Sequence, residues 1–304
     1  MGLYDTSIGT LLIGIFFNTY LYGLVTYQFL AYYKSDFGDR LAIKYMVLFL
    51  FILDTIHSAT SIYLAWMYCV ENWGNPSALT VAFWPYTFTP IATALAALVT
   101  QIFLGYRVWR LSNSKILFGV IIALAVPSFA LGMACGIKAW IIRILTELPQ
   151  INNLVTAWLA MQVGCDAVIT GTLTIILSRS RTGFRKTDTV LNRLIRGAIQ
   201  TGLFAGIFSL GDLISFLSWP DTNLYGMFAV PIGRIYTNTL LDTLLARTDL
   251  KAKMAGTYDV GSSIGWAPSE TARNIQLEVR KEVHQTCDNA SFDAEGKVPP
   301  TMAI

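Results

Sequence analysis

The chain reads as an all-α polytopic membrane protein, a bundle of seven transmembrane helices with its N-terminus outside and its C-terminus in the cytoplasm. Three observations predict this. Seven apolar stretches, each near the roughly 20 residues that a spanning helix needs, fill residues 8–246 of the 304 and leave short polar connectors. Hydrophobic residues make up 54% of the chain and charged residues 13%, about half the charged share of an average globular domain, and the mean hydropathy is +0.52. Lys and Arg gather in alternate connectors, as the positive-inside rule requires of cytoplasmic loops. The runs are continuous, without the ten-residue alternation of barrel strands, so helices follow.

The first expected span is 8–31. Residues 1–7 hold Asp5 and no Lys or Arg, and a cleavable signal wants a positive flank before a shorter core. It is therefore read as a retained helix with a translocated N-terminus. The second span, 46–70, carries Asp54 and His57. The connector 71–86 contains Asn72-Trp73-Gly74-Asn75-Pro76 and Trp84-Pro85-Tyr86, a turn followed by interfacial aromatics. It either caps the bundle or joins two helices. Spans three to five follow at 87–106, 116–137 and 154–177, the last with Asp166. Spans six and seven are 194–218 and 224–246. Domain limits of 1–247 for the membrane bundle and 248–304 for a mostly disordered cytoplasmic tail follow from the change to Gly, Ser, Pro and charge. Within that tail, residues 274–283 alternate in a strand-like way.

Orientation rests on basic residues. Lys34, Arg40 and Lys44 follow span one; Arg107, Arg110 and Lys115 follow span three; Arg247, Lys251 and Lys253 follow span seven. The densest group, Arg179, Arg181, Arg185, Lys186, Arg193 and Arg196, follows span five, against Lys138 and Arg143 on the opposite side. Six of the eight tryptophans (Trp66, Trp73, Trp84, Trp140, Trp158 and Trp219) fall near the expected outer ends. The basic segment 178–196 should lie against anionic lipid, and interleaved Ser and Thr would let phosphorylation offset that attraction. With the tail, it is the expected meeting place for a cytoplasmic partner.

Charges inside a bilayer normally face the bundle interior. Asp54, Asp166 and Arg234 lie well inside the spans. Asp54 and Arg234 lie about eight and twelve residues from the cytoplasmic ends of their helices, a depth difference of about 6 Å that an arginine side chain covers. An Asp54–Arg234 ion pair is expected. His57 shares a helix face with Asp54, while Arg234, Asn238 and Asp242 form a stripe along span seven. Pro231 stands where it would kink that span, and Thr55, Gln101 and Asp212 add hydrogen-bonding capacity. The polar-core candidates are thus Asp54, His57, Asp166, Arg234, Asn238 and Asp242.

No catalytic residues and no metal site are assigned. Nucleotide loops, paired-glycine fingerprints, zinc helices and nucleophile elbows are missing from the sequence, and its two histidines, His57 and His284, are far apart. No cofactor or nucleic acid is expected, and span seven offers no mid-helix lysine for a retinal Schiff base. Four cysteines show no metal spacing; of these, Cys69 and Cys135 fall near one face, and their pairing is left open.

Several segments together resemble a known family. They are Leu21-Tyr22-Gly23, Leu53-Asp54-Thr55 with His57, Asn72 with Gly74-Asn75-Pro76, Tyr106-Arg107-Val108-Trp109-Arg110-Leu111-Ser112, Ser180-Arg181-Thr182-Gly183-Phe184 with Thr187-Asp188, and Gly233-Arg234-Ile235-Tyr236-Thr237-Asn238-Thr239-Leu240-Leu241. Over about residues 8–247 the chain looks like the fungal seven-transmembrane family known as domain of unknown function 6534. That resemblance implies an integral membrane protein with no assigned activity, ligand or cofactor. The family's usual second span carries another histidine where this chain has Tyr63, and many members have lysine where Arg234 stands.

The function expected is receptor-like sensing of a small or lipidic ligand from the outer side, with the polar core lining or bracing the pocket. Two alternatives stand beside it: a membrane-embedded enzyme or transporter using the buried Asp and Arg residues, and a structural or scaffolding membrane protein. Plasma membrane is the default location, since no retention or lipidation ending is visible.

Overall fold

A computed structural model describes residues 5–35, 38–179, 185–219 and 222–254; for residue 146, residues 185–201 and residues 248–254 it gives the backbone alone. The chain divides into two units, Met1–Tyr258 and Asp259–Ile304. The second lies outside the described residues, and with it the strand-like segment and Cys287.

Among the described residues the fold is all-helical. Seven long helices run in order: α1 Thr10–Lys34, α2 Leu41–Trp66, α3 Trp84–Ser112, α4 Lys115–Ile142, α5 Asn152–Arg179, α6 Arg185–Ser218 and α7 Leu224–Met254. Neighbours in sequence pack against each other, and α7 returns to α1, closing the ring. α3 and α7 also meet across the interior, α3 reaching α5 and α7 reaching α2. Short connectors leave successive helices little choice but to run antiparallel.

Five helical stretches are long and apolar enough to cross a membrane: Asp5–Lys34, Leu41–Glu71, Trp84–Ser112, Lys115–Ile142 and Glu147–Arg179. α7 falls short for a physical reason. Residues 230–237 and 239–241 are all buried, so this stretch of α7 sits in protein on every side, and Arg234, Thr237 and Thr239 sit in it at no cost to a lipid-facing surface. In α6 the described apolar part is Gly202–Ser218.

The helices outrun the apolar stretches at several ends. α6 begins at Arg185, nine residues before the expected span, and α7 continues to Met254, beyond the expected boundary at 247. Hydropathy marks the part of a helix that lipid could surround, whereas backbone hydrogen bonding carries the helix on past it. Arg185, Lys186, Arg193 and Arg196, expected in a connector, therefore stand on the first turns of α6. Arg179 is exposed at the end of α5, and Arg181 lies outside the described residues.

At the N-terminal end of the bundle the connectors lock to one another. The 71–86 connector turns through a 3-10 helix, Pro76–Thr80, capped by the Asn75 side chain. It then meets the α4–α5 connector, where the Ala82 N–H donates to the Arg143 carbonyl at 2.8 Å. The Tyr68 hydroxyl donates to the Val81 carbonyl at 2.7 Å, and the Asn223 N–H to the Thr6 carbonyl at 3.0 Å. Five of the six tryptophans expected at this end are exposed; Trp158 is the exception at 6%. It turns inward because Gly132 leaves room: a Cβ there would stand 2.7 Å from the indole nitrogen. Cys69, Cys135 and Cys165 are all free.

At the opposite end Arg247 forms a two-pronged ion pair with Asp39, at 2.9 and 2.8 Å, and the Tyr32 hydroxyl donates to the same carboxylate at 2.9 Å. This fastens the late part of α7 to the connector after α1.

α1 and α7 approach closely at Gly14. A Cβ at Gly14 would lie 2.8 Å from the Met227 Cα and 2.9 Å from the Gly226 carbonyl, whereas one at Gly23 would meet nothing within 4 Å. Gly14→Val should therefore force the two backbones apart and lower thermal stability by about 1–3 kcal/mol. Gly23→Ala should raise stability by about 0.5–1 kcal/mol, through the lower backbone freedom of alanine. Thermal unfolding of the two purified variants checks both signs, and equal behaviour would refute the close approach.

Candidate functional site

Arg234 organises the first polar cluster. It is 1% exposed and Asp54 is fully buried; one guanidinium nitrogen, Nη1, pairs with the Asp54 carboxylate, which is the ion pair expected from the sequence. The other, Nη2, donates to His57 Nδ1 at 2.8 Å. A guanidinium is donor-only, so Nδ1 accepts and the imidazole proton resides on Nε2. Nε2 in turn donates to the Thr89 hydroxyl at 3.2 Å, which reaches back to the Pro85 carbonyl at 3.5 Å. One directional chain of hydrogen bonds thus runs from α7 through α2 to the start of α3.

The cluster keeps capacity in reserve. Arg234 Nε and Asp54 Oδ2 are buried without a hydrogen-bond partner among the described residues. Asn238, one turn along α7, spends its amide on the Arg234 carbonyl at 2.9 Å. Asp242, the next member of the stripe, is exposed and so stands apart from the buried core, because it falls on the outer face of α7 while Leu241 and Leu244 face inward.

Asp166 belongs to a second cluster. Gln101 Nε2 donates to it at 2.9 Å and the Tyr236 hydroxyl donates to its other oxygen; all three residues are buried. Arg234 and Tyr236 are two positions apart on α7, hence about 200° apart around its axis. The three charges expected in the interior therefore divide into two sites, Asp54 with Arg234 between α2 and α7, and Asp166 with Tyr236 between α5 and α7.

A small cavity of about 30 Å³ is lined by Asp166 and Tyr236. A partly open cavity of about 80 Å³ lies towards the N-terminal end and touches the first cluster at Thr89. Its walls come from α3 to α7 and the 3-10 helix Leu145–Ile151. Most of the lining is apolar, including Cys135, Leu148, Ile151, Val155, Ala229 and Val230. The exceptions are specific: Thr89, the end of the hydrogen-bond chain from Arg234; the Tyr86 and Tyr225 hydroxyls, joined at 2.6 Å; and the Asp212 carboxylate. Asp212 is 5% exposed. A larger concavity of about 490 Å³ sits at the other end between α1 and α2, lined by Phe29, Tyr33, Lys44 and Tyr45 among others.

The sequence reading placed Asp212 among general hydrogen-bonding capacity and Trp158 in an interfacial belt. Asp212 was open to the rule that flagged Asp54 and Asp166, a charge within an apolar run. Trp158 was not, since its inward turn depends on a glycine 26 positions away. Among the described residues no group of His, Cys, Asp and Glu has the arrangement of a metal site.

These features define a class: an all-helical protein with several helices of membrane-spanning length and composition, carrying buried charge between them. A family model described as "Family of unknown function (DUF6534)" matches residues 162–249, which takes in Asp166, Asp212, Arg234 and Tyr236. No curated protein matches this chain. No solved structure matches it either.

If Arg234 and Asp54 act as a pair, removing one leaves the other charged and buried. Asp54→Asn and Arg234→Gln should each destabilise the protein by about 3–5 kcal/mol. The double variant Asp54→Asn/Arg234→Gln should recover at least half of the summed loss. Strictly additive losses in thermal unfolding would dissolve the pair.

Proposed function

We propose that the chain is an integral membrane protein with seven spans, N-terminus outside, that senses a small and largely apolar ligand in the cavity at its N-terminal end. The observation that carries this reading is the join between cavity and charge: Thr89 lines the cavity and bonds His57, which bonds Arg234. An apolar pocket with a few convergent polar groups is the usual form of a small-molecule site. α7 supplies Gly226, Ala229 and Val230 to the wall, Arg234 to the ion pair and Arg247 to the latch on Asp39. A ligand that favours one position of α7 would bias groups at both ends of the bundle, which is all that sensing requires energetically.

Seven spans and the outward N-terminus draw support from the basic connectors and from the antiparallel ring. In cells, a membrane-impermeant maleimide should label Asn75→Cys without permeabilisation and Lys115→Cys after it, both in a Cys69→Ser/Cys287→Ser background. The opposite pattern would reverse the orientation.

The ligand reading is tested by thermal shift on the full chain in detergent against apolar small molecules, comparing wild type with Ala229→Phe, which fills the cavity. A ligand at a hundredfold excess over its Kd should stabilise wild type by about 2.7 kcal/mol and leave Ala229→Phe unmoved. A fluorophore at Thr243→Cys, in the same background, should respond to that ligand. Equal stabilisation of the filled variant would discard the cavity, and a silent fluorophore would discard sensing in favour of transport or a structural role.

A further inference from the structure

The same cavity contains a feature that neither its apolar lining nor the Arg234 cluster explains. The Asp212 carboxylate is buried in its wall, and among the described residues no donor or cation stands within hydrogen-bonding or ion-pairing distance of it. Asp54 has Arg234, Asp166 has Gln101 and Tyr236, and Asp39 has Arg247. A lone buried carboxylate is costly unless something of opposite charge or strong donating power reaches it. Facing the same space are four aromatic rings: Tyr86, Trp158, Phe216 and Tyr225. Phe216 and Tyr225 are set edge to face, 5.2 Å between ring centres at 88°. The Trp158 indole N–H is buried and unpartnered.

A carboxylate among aromatic faces is the chemistry that recognises a cationic nitrogen. The carboxylate supplies the opposite charge and the ring faces supply the negative side of their quadrupoles. No Lys or Arg lines the cavity, so an anionic or phosphate-bearing ligand would find no opposite charge there and would face the Asp212 carboxylate. Its volume of about 80 Å³ holds a group of several heavy atoms, enough for an ammonium centre and its first carbons, with the rest of the molecule leaving through the open side.

Resting on the cavity reading above, we propose that the ligand is an organic ammonium ion on an apolar body, held through its nitrogen by Asp212 within the Tyr86, Trp158, Phe216 and Tyr225 rings. Asp212 is the residue that selects charge, and the aromatic rings select a soft, weakly hydrated cation over a metal ion.

The test is competitive and uses four probes of equal chain length on the full chain in a non-ionic detergent: hexylamine, hexyltrimethylammonium, 1-hexanol and hexanoate. Both cations should raise the melting temperature at concentrations at least about tenfold below those needed by 1-hexanol, and hexanoate should have no effect. Asp212→Asn should abolish the advantage of the cations and leave 1-hexanol unchanged. Should Asp212→Asn not fold, Phe216→Leu provides the second arm. It keeps the cavity apolar and should weaken hexyltrimethylammonium several-fold without affecting 1-hexanol.

If hexylamine and 1-hexanol act alike, or Asp212→Asn keeps the preference, the ammonium assignment is overturned; sensitivity to Ala229→Phe would still uphold the cavity. If the shifts persist in Ala229→Phe, both readings fall. A short phosphocholine lipid, dihexanoylphosphatidylcholine, separates the sources of the cation. Failure to displace hexylamine assigns a free amine, and displacement assigns a lipid headgroup.

Discussion

Burial of the Arg234 guanidinium dictates much of the rest. A cation cannot sit deep in an apolar bundle unless its donors are met, and the partners must come from other helices because α7 cannot supply them at that depth. Asp54 and His57 meet two of its nitrogens from α2, and both partners recur on one face of α2 because they are three residues apart. Fixing α2 to α7 in this way brings α3 in through Thr89 and leaves α7 enclosed. An enclosed helix can be polar without exposing that polarity to lipid, so α7 is the least hydropathic of the long helices and still the most buried in its middle.

The close packing of α1 follows from the same enclosure. With α2, α3 and α6 already against α7, the remaining side is covered by α1, and Gly14 lets the two backbones approach until a single methyl group would collide with Met227. Small residues at such crossings are the usual means by which helices associate in membranes, where lipid is as apolar as leucine and the hydrophobic effect offers no preference for protein over lipid. The α1–α7 seam therefore relies on shape, whereas the α2–α7 seam relies on charge. The Asp39–Arg247 pair closes the far end of the first seam, and the Asn223–Thr6 backbone bond closes the near end.

The sequence carried the seven-helix pattern and the Asp54–Arg234 contact because both depend on one-dimensional quantities: run length, and depth counted at a fixed rise per residue. It also placed His57 beside them, since helical periodicity is local. What it could not carry was azimuth between helices. Asp166 and Arg234 looked like members of one constellation when only depth was considered, yet Tyr236, two positions along, faces α5 and takes Asp166 for itself. Trp158 resembled an interfacial residue by its place in the chain, and the room made by Gly132 turns it into the bundle. The helices outrun the expected spans for a different reason: hydropathy is silent about polar turns of helix beyond an apolar run, such as those of α6 from Arg185 and of α7 to Met254.

α7 links the separate sites mechanically. Over its length it meets the cavity at Gly226 and Ala229, the ion pair at Arg234, the second carboxylate at Tyr236 and Asp39 at Arg247. Pro231 lies between the cavity and the ion pair and removes one backbone donor there, leaving α7 most easily bent just above its charged anchor. Below that point the helix is held by two buried clusters and an ion pair; above it, Tyr225 bonds Tyr86 and meets Phe216 edge to face, while Gly226 and Met227 lie against Gly14 of α1. The Thr89–His57–Arg234 chain joins the cavity wall to the anchored part. α7 is thus fixed on both sides of Pro231, by close packing and a hydroxyl pair beside the cavity and by buried charge beyond it.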